Sequence, residues 1–217
     1  METLLYMNIQ WESRTDRWFS PVYLVESARV VLGDIDLDPA SEAFGNSRVK
    51  AKQFYDEKQD GLVQPWFGNL YVNPPGGRQG KLSKSALFWD KLINVRKDIK
   101  QAIWLGFSLE QMQTTQRSVK SIANFPFCVP RKRIRFDTPD GTPGAAPSHS
   151  NVIVYVPGSI DNTQVFIEEF SQYGVVCVPR LIFYHRMTKA PFRGFLLFYC
   201  MIRGCVAGAE QIALFRA

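Results

Sequence analysis

The sequence predicts an α/β domain on a largely parallel sheet, and three observations carry that expectation. Short apolar runs at residues 70–72, 102–107 and 152–156 alternate with longer segments whose apolar residues recur at helical spacing. Two of the predicted strands stop abruptly at Asp38-Pro39 and Asn73-Pro74-Pro75, where proline fixes φ and removes a backbone donor, so neither helix nor ladder continues. The chain of 217 residues shows no internal repeat and suits one domain with a real core, alone or with a short extension.

In order, residues 8–21 read as an arm ending in a helix start, with Ser20 as N-cap and Pro21 at the first helical position. Val22, Leu24, Val25, Ala28 and Val31 then line one helix face up to a stop at Gly33. Ile35 and Leu37 alternate with Asp34, Asp36 and Asp38 in a short strand that ends at Asp38-Pro39-Ala40-Ser41. Taken alone, that tetrapeptide is also a turn with Ser41 capping the next helix. Residues 42–52 read as helix, broken or begun at Gly45-Asn46, and Gln53-Phe54-Tyr55 as a second strand. Asp60-Gly61-Leu62 is a turn signal before Trp66-Phe67 leads into a strand at 68–72.

Asn73-Pro74-Pro75-Gly76 by itself is equally an ordinary turn, but it stands at the carboxyl edge of its strand, where open α/β sheets bind ligands. A basic, flexible loop at 78–84 follows, then a helix at 85–95 with Leu87, Phe88, Leu92, Ile93 and Val95 as core contacts. Beyond the strand at 102–107, residues 108–123 read as helix, and 125–136 as a strand carrying Arg131-Lys132-Arg133-Ile134-Arg135. A Pro/Gly-rich loop at 137–148, a strand at 152–156, a helix at 163–173 and a strand at 174–178 complete the pattern. The expected division is an arm at 1–17, a domain at 18–179 and an extension at 180–217. The apolar run from Gly194 to Ile202 is about half the length a membrane span needs, so the extension is either a terminal element packed on the domain or a poorly ordered appendage.

Charge is unevenly spread. Residues 1–60 hold 7 basic and 11 acidic side chains, 61–140 hold 13 and 5, and 141–217 hold 6 and 4, so the middle third is about +8 while the first is about −4. A basic block beside the Asn-Pro-Pro turn suggests a polyanionic partner, with a solvated basic face as the alternative. Four cysteines without zinc-ligand spacing, and two isolated histidines, point to a reduced compartment and to no metal site. Residues 1–10 carry Glu2 and no basic region leading into a cleavable apolar run, so no signal peptide is expected.

Trp18-Phe19-Ser20-Pro21, Asp36-Leu37-Asp38-Pro39-Ala40-Ser41 and Asn73-Pro74-Pro75, in this order, resemble the phage-type DNA N-6-adenine methyltransferases, a Dam-like family. Val49-Lys50-Ala51, Asp60-Gly61-Leu62, Trp66-Phe67-Gly68, Arg133-Ile134-Arg135-Phe136 and residues 147–156 extend the resemblance over roughly residues 10–178; the tail has no counterpart. The resemblance implies a Rossmann-like methyltransferase domain that uses S-adenosyl-L-methionine on double-stranded DNA, without a metal, in the cytoplasm of a bacterial host of a phage or prophage. The sheet is expected to be abbreviated, because the interval from Asp38 to Asn73 is short for a complete nucleotide fold.

Carried over by resemblance, Asn73 and the Pro74 main-chain carbonyl, with Pro75, orient an exocyclic amine for in-line methyl transfer. Ser20-Pro21 and Asp38-Pro39-Ala40-Ser41 hold the methionine end of the cofactor, with the Asp38 carboxylate on its ammonium group, and Asp60 stands toward the adenine or ribose. Arg78, Lys81 and Lys84, together with Arg131, Lys132, Arg133 and Arg135, contact phosphates. The chain departs from the family at Gly76, where many related motifs carry an aromatic that stacks on the flipped base; Phe19, Phe88, Trp89 and Phe107 are the candidate substitutes. Two alternatives stay open: an amino-methyltransferase acting on cytosine or a protein amide, and a DNA-binding module without catalysis.

Overall fold

The computed structural model describes residues 18–179 except 107, 116–119, 139–141, 143 and 145–148. The arm expected at 1–17, Phe107 and the extension expected at 180–217 lie outside the described residues, and the first compact unit of the chain ends at Pro179. Among the described residues no helix is long and apolar enough to cross a membrane.

The chain is α/β. Helix α1 (Val22–Leu32) precedes β1 (Leu37–Asp38), α2 (Ala43–Val49), β2 (Gln53–Phe54) and β3 (Asn69–Val72). A small hairpin, β4 (Arg78–Gln79) and β5 (Leu82–Ser83), then leads into α3 (Lys84–Asn94) and β6 (Gln101–Gly106). Short α4 (Glu110–Thr115), β7 (Phe127–Pro130), β8 (Val152–Pro157), α5 (Thr163–Phe170) and β9 (Gly174–Cys177) follow.

Seven strands form one mixed sheet in the order β2-β1-β3-β6-β8-β7-β9, a layout compatible with a Rossmann-like fold. Neighbours from β2 to β6 pair parallel, and those from β6 to β9 pair antiparallel, so only β8 and β9 run against the rest. The far half is thus less parallel than the sequence suggests. Strands buried on both faces lose the apolar/polar alternation that marks an exposed antiparallel strand.

That two-sided burial is explicit in the core. Leu70, Val72, Ala102, Trp104, Val152, Val154 and Val156 face one layer with Phe88, Trp89 and Leu92 of α3. Tyr71, Ile103, Leu105, Ile153 and Tyr155 face the other, with Leu24, Val25, Ala28 and Val31 of α1 and Phe166 and Phe170 of α5. Each large apolar side chain so buried stabilises the fold by about 1.5–3 kcal/mol.

Several local expectations change. Pro21, not Ser20, holds the N-cap position of α1, and no side chain caps it; the Pro21 carbonyl accepts from Leu24 N–H at 3.0 Å. Glu42 rather than Ser41 precedes α2, and Gly45 lies inside that helix because its missing Cβ lets the Phe19 ring approach. The basic loop at 78–84 is a hairpin, turned by Gly80 at φ 60° and closed by Lys84 N–H on the Gly77 carbonyl at 3.1 Å. In α3, Trp89 belongs to the core, while Leu87 and Ile93 are half-buried. The helix expected at 108–123 is confined to α4 and a 3₁₀ turn at Ile122–Asn124 in the described part. β7 ends at Pro130, so the basic run 131–135 lies beyond the strand and not in it; Ile134 alone within the run is buried.

Candidate active site

Because β1, β3, β6 and β7 point the same way, their carboxyl ends share one edge. Asp38 ends β1, Asn73 follows β3, Gly106 ends β6, and Arg131 follows β7. Between β1 and β3 the chain order reverses, with β2 on one side of β1 and β3 on the other. Crevices at such reversals are where open α/β sheets take ligands.

The turn after β1 is held from both sides. Tyr55 N–H donates to the Asp38 carbonyl and Ser41 N–H to the Tyr55 carbonyl, each at 3.0 Å. The Asp38 side chain is 2% exposed, accepts from Ala40 N–H at 3.1 Å and has no cationic partner among the described residues. Burial pushes its pKa up to about 7, and the Ala40 amide and the Ser41 hydroxyl offset this only in part. Asp36, near the opposite edge, shows what compensation looks like. Burial would raise it, but the Asn69 amide, Lys52 and Lys100 outweigh burial and hold the carboxyl below its ordinary range. Asp38 is therefore a buried carboxyl whose charge no cation among the described residues offsets, whereas Asp36 is a satisfied structural group.

Asp60 is brought to the same turn, since Gly61 packs so tightly on the Pro39 carbonyl that a Cβ there would lie 1.9 Å from the oxygen. Its own carboxylate is exposed and accepts from Leu62 N–H at 3.0 Å. Lys91 of α3 anchors this loop, donating to the carbonyls of Gly61 at 3.0 Å, Leu62 at 2.7 Å and Gln64, with its ammonium 5.2 Å from the Trp66 ring centroid. Trp66 adds an indole N–H to the Gly61 carbonyl at 2.8 Å. Nothing in the spacing of Lys91 singles it out in sequence.

Asn73 donates its side-chain N–H to the Trp18 carbonyl at 3.0 Å. Only the amide nitrogen can face a carbonyl, so this contact fixes the flip and leaves Asn73 Oδ1 as the acceptor, with no donor on it among the described residues. Pro74 is buried and Pro75 half-buried, which holds the Pro74 carbonyl rigid beside it. Gly76 is exposed, and nothing lies within 4 Å of where a Cβ would stand.

Of the candidate aromatics, Phe88 packs on Trp66 at 5.9 Å, and Trp89 is wedged between Trp104 at 5.2 Å and Phe125 at 5.7 Å. Both are core residues on the layer away from Asn73. Phe19 is buried edge-on against Phe44. Trp18, whose carbonyl holds Asn73, is 39% accessible, with one edge of its ring close against Gly144.

The N-terminal strap is pinned to the end of the basic segment. Phe19 and Asp137 exchange backbone hydrogen bonds at 3.0 and 2.9 Å, and Asp137 pairs with Arg48, which also stacks on Phe44 at 5.2 Å. Asn151 accepts from Ile134 N–H at 3.1 Å and donates to the Gly106 carbonyl at 3.4 Å, tying residues 131–135 to the edge. Arg131, Lys132, Arg133 and Arg135 are exposed there, as are Arg78 and Lys81 of the hairpin; Lys84 is half-buried. Ser20 is buried at the start of this arrangement, beside the Tyr71 hydroxyl, and Pro21 is buried with it. Among the described residues no group of His, Cys, Asp or Glu is arranged to hold a metal ion.

Fold and site together define an α/β protein in which the carboxyl ends of β1, β3 and β7 bring together a buried carboxyl, an oriented amide acceptor and a rim of cations. No protein-family model matches the chain, and no curated protein matches it.

Proposed function

We propose that the protein transfers a methyl group from S-adenosyl-L-methionine to the exocyclic amino group of adenine in double-stranded DNA. The observation that carries this reading is the oriented Asn73. With its N–H committed to the Trp18 carbonyl, Asn73 Oδ1 and the Pro74 carbonyl are two adjacent acceptors at the strand-order reversal. Two acceptors hold two amine hydrogens and turn the nitrogen lone pair away from them, which is the orientation in-line transfer needs. Pro75 keeps the pair rigid.

The residues at the neighbouring turn fit the cofactor's amino-acid end. Asp38 is a buried carboxylate without a cationic partner among the described residues, and Ser20 is buried just before α1. Asp38 would take the ammonium group, with Ser20, Pro21, Pro39, Ala40 and Ser41 around it, and the Asp60 loop would stand toward the nucleoside. When bound, the cofactor supplies an already activated sulfonium methyl. Asn73 and Pro74 then contribute position and electrostatics and need no strong base. Trp18 takes the stacking role that Gly76 leaves open, and the exposed cations of the hairpin and of 131–135 hold phosphates.

Transfer of labelled methyl from S-adenosyl-L-methionine to unmethylated duplex DNA, followed by separation of the nucleosides, tests this. Label in N6-methyladenosine is the expected result. Label in cytosine changes the acceptor and keeps the site; cofactor and DNA binding without transfer to any sequence overturns the catalytic reading.

A further inference from the structure

Tyr71 carries a polar group that the proposed reaction does not use. It lies in β3, two residues before Asn73 and so on the same face of the sheet, with its ring in the core among Leu24, Ile103 and Phe170. The residue is 1% exposed, and its hydroxyl makes no geometrically sound hydrogen bond among the described residues, the Ser20 hydroxyl being its one polar neighbour there that favours its ionisation. An orphaned buried hydroxyl is costly, and phenylalanine would fill the same space without that cost. The hydroxyl has Ser20 beside it, and Asp38, at the end of β1, and Tyr23 are near enough for their charges to act on it.

Asp38 and Tyr71 are complementary in kind. A buried carboxylate only accepts, and a phenol that stays protonated donates. Burial, with Asp38 and Tyr23 adding to it, holds the Tyr71 hydroxyl above its ordinary range and so keeps it a donor. A ligand end that carries a cation and an anion on one carbon, as an α-amino acid does, answers both groups together.

We propose that the Tyr71 hydroxyl is a ligand-binding group that donates to the carboxylate of an amino-acid moiety whose ammonium group pairs with Asp38. This rests on the cofactor reading above and adds to it a residue that selects for an intact amino-acid end.

Tyr71→Phe removes one oxygen and leaves the ring. Calorimetric titration of wild type and variant with S-adenosylhomocysteine, and with methylthioadenosine, which lacks the amino-acid end, separates the possibilities. The expected result is a Kd for S-adenosylhomocysteine about tenfold weaker in the variant, an unchanged Kd for methylthioadenosine, and a ligand-free Tm equal to or above wild type. Unchanged S-adenosylhomocysteine binding overturns the proposal and leaves the cofactor reading standing. A variant that loses Tm, fails to fold or weakens both ligands alike makes the hydroxyl a structural group and also overturns it. Wild-type protein that binds neither ligand removes the cofactor reading and this proposal with it.

Discussion

Asp38→Asn should stabilise the ligand-free protein at alkaline pH while weakening its binding of cofactor. Asp38 is 2% exposed and has no cationic partner among the described residues, and burial pushes its pKa up to about 7. The unfolded chain ionises the same carboxyl at about pH 4. Between those values the folded state holds a proton that the unfolded state releases. The stability this contributes is full below about pH 4 and is lost as pH rises through about 7, amounting to about 4 kcal/mol at pH 8. Asparagine carries no charge at any of these values and keeps the acceptor for Ala40 N–H. Urea unfolding at about pH 5 and about pH 8 should show wild type losing stability relative to the variant, which ends about 2–4 kcal/mol the more stable at the higher pH. The same substitution should weaken S-adenosyl-L-methionine at least about tenfold, because a buried ammonium would lose its counter-charge. Binding to wild type should release a proton near neutrality and tighten from about pH 6 to about pH 8. Parallel pH profiles for the two proteins, or a variant less stable at pH 8, would refute the claim that Asp38 is an uncompensated buried charge.

Four other variants probe separate parts of the edge. Asn73→Ala should abolish methyl transfer, a loss of at least about a hundredfold, with cofactor and DNA affinities within about threefold of wild type in direct titrations. Gly76→Phe adds a ring where nothing lies within 4 Å, and should raise transfer by about fivefold or more if base stacking is limiting, read in the labelled-methyl assay. Lys91→Met removes the donor to the Gly61, Leu62 and Gln64 carbonyls; unfolding should show a loss of about 2 kcal/mol, accompanied by a change in tryptophan emission as Trp66 loses its cation. Lys132→Ala with Arg135→Ala should weaken duplex DNA at every sequence and lower the slope of log affinity against log salt by about two, measured by fluorescence anisotropy.

Much of this molecule is legible locally. The stops at Gly33, Asp38-Pro39 and Asn73-Pro74 fall where strands and helices end, because proline and glycine act on the backbone within one or two residues. The alternation of elements is visible for the same reason, but the abbreviated sheet expected from the short interval between Asp38 and Asn73 does not form: only β2 lies between β1 and β3 in the chain, and strands from the later part of the chain bring the sheet to seven. Helix ends were less legible, as Ser20 and Ser41 show. A capping residue competes with its neighbours, and here the burial of Ser20 and the pairing of Ser41 N–H with the Tyr55 carbonyl decide the matter.

What only the tertiary structure decides are contacts between residues far apart in sequence. Trp18 orients Asn73 across 55 positions, Arg48 meets Asp137 across 89, and Lys91 reaches back about 30 to hold the Asp60 loop. Strand order is of the same kind: one sheet edge collects Asp38, Asn73 and the 131–135 cations because β1, β3 and β7 run in one direction, and no local preference sets that direction. The charge states of Asp36 and Asp38 follow too. Two aspartates two residues apart look alike in sequence, but one finds Lys52 and Lys100 while the other is buried with no cation among the described residues, and only the packed fold determines which.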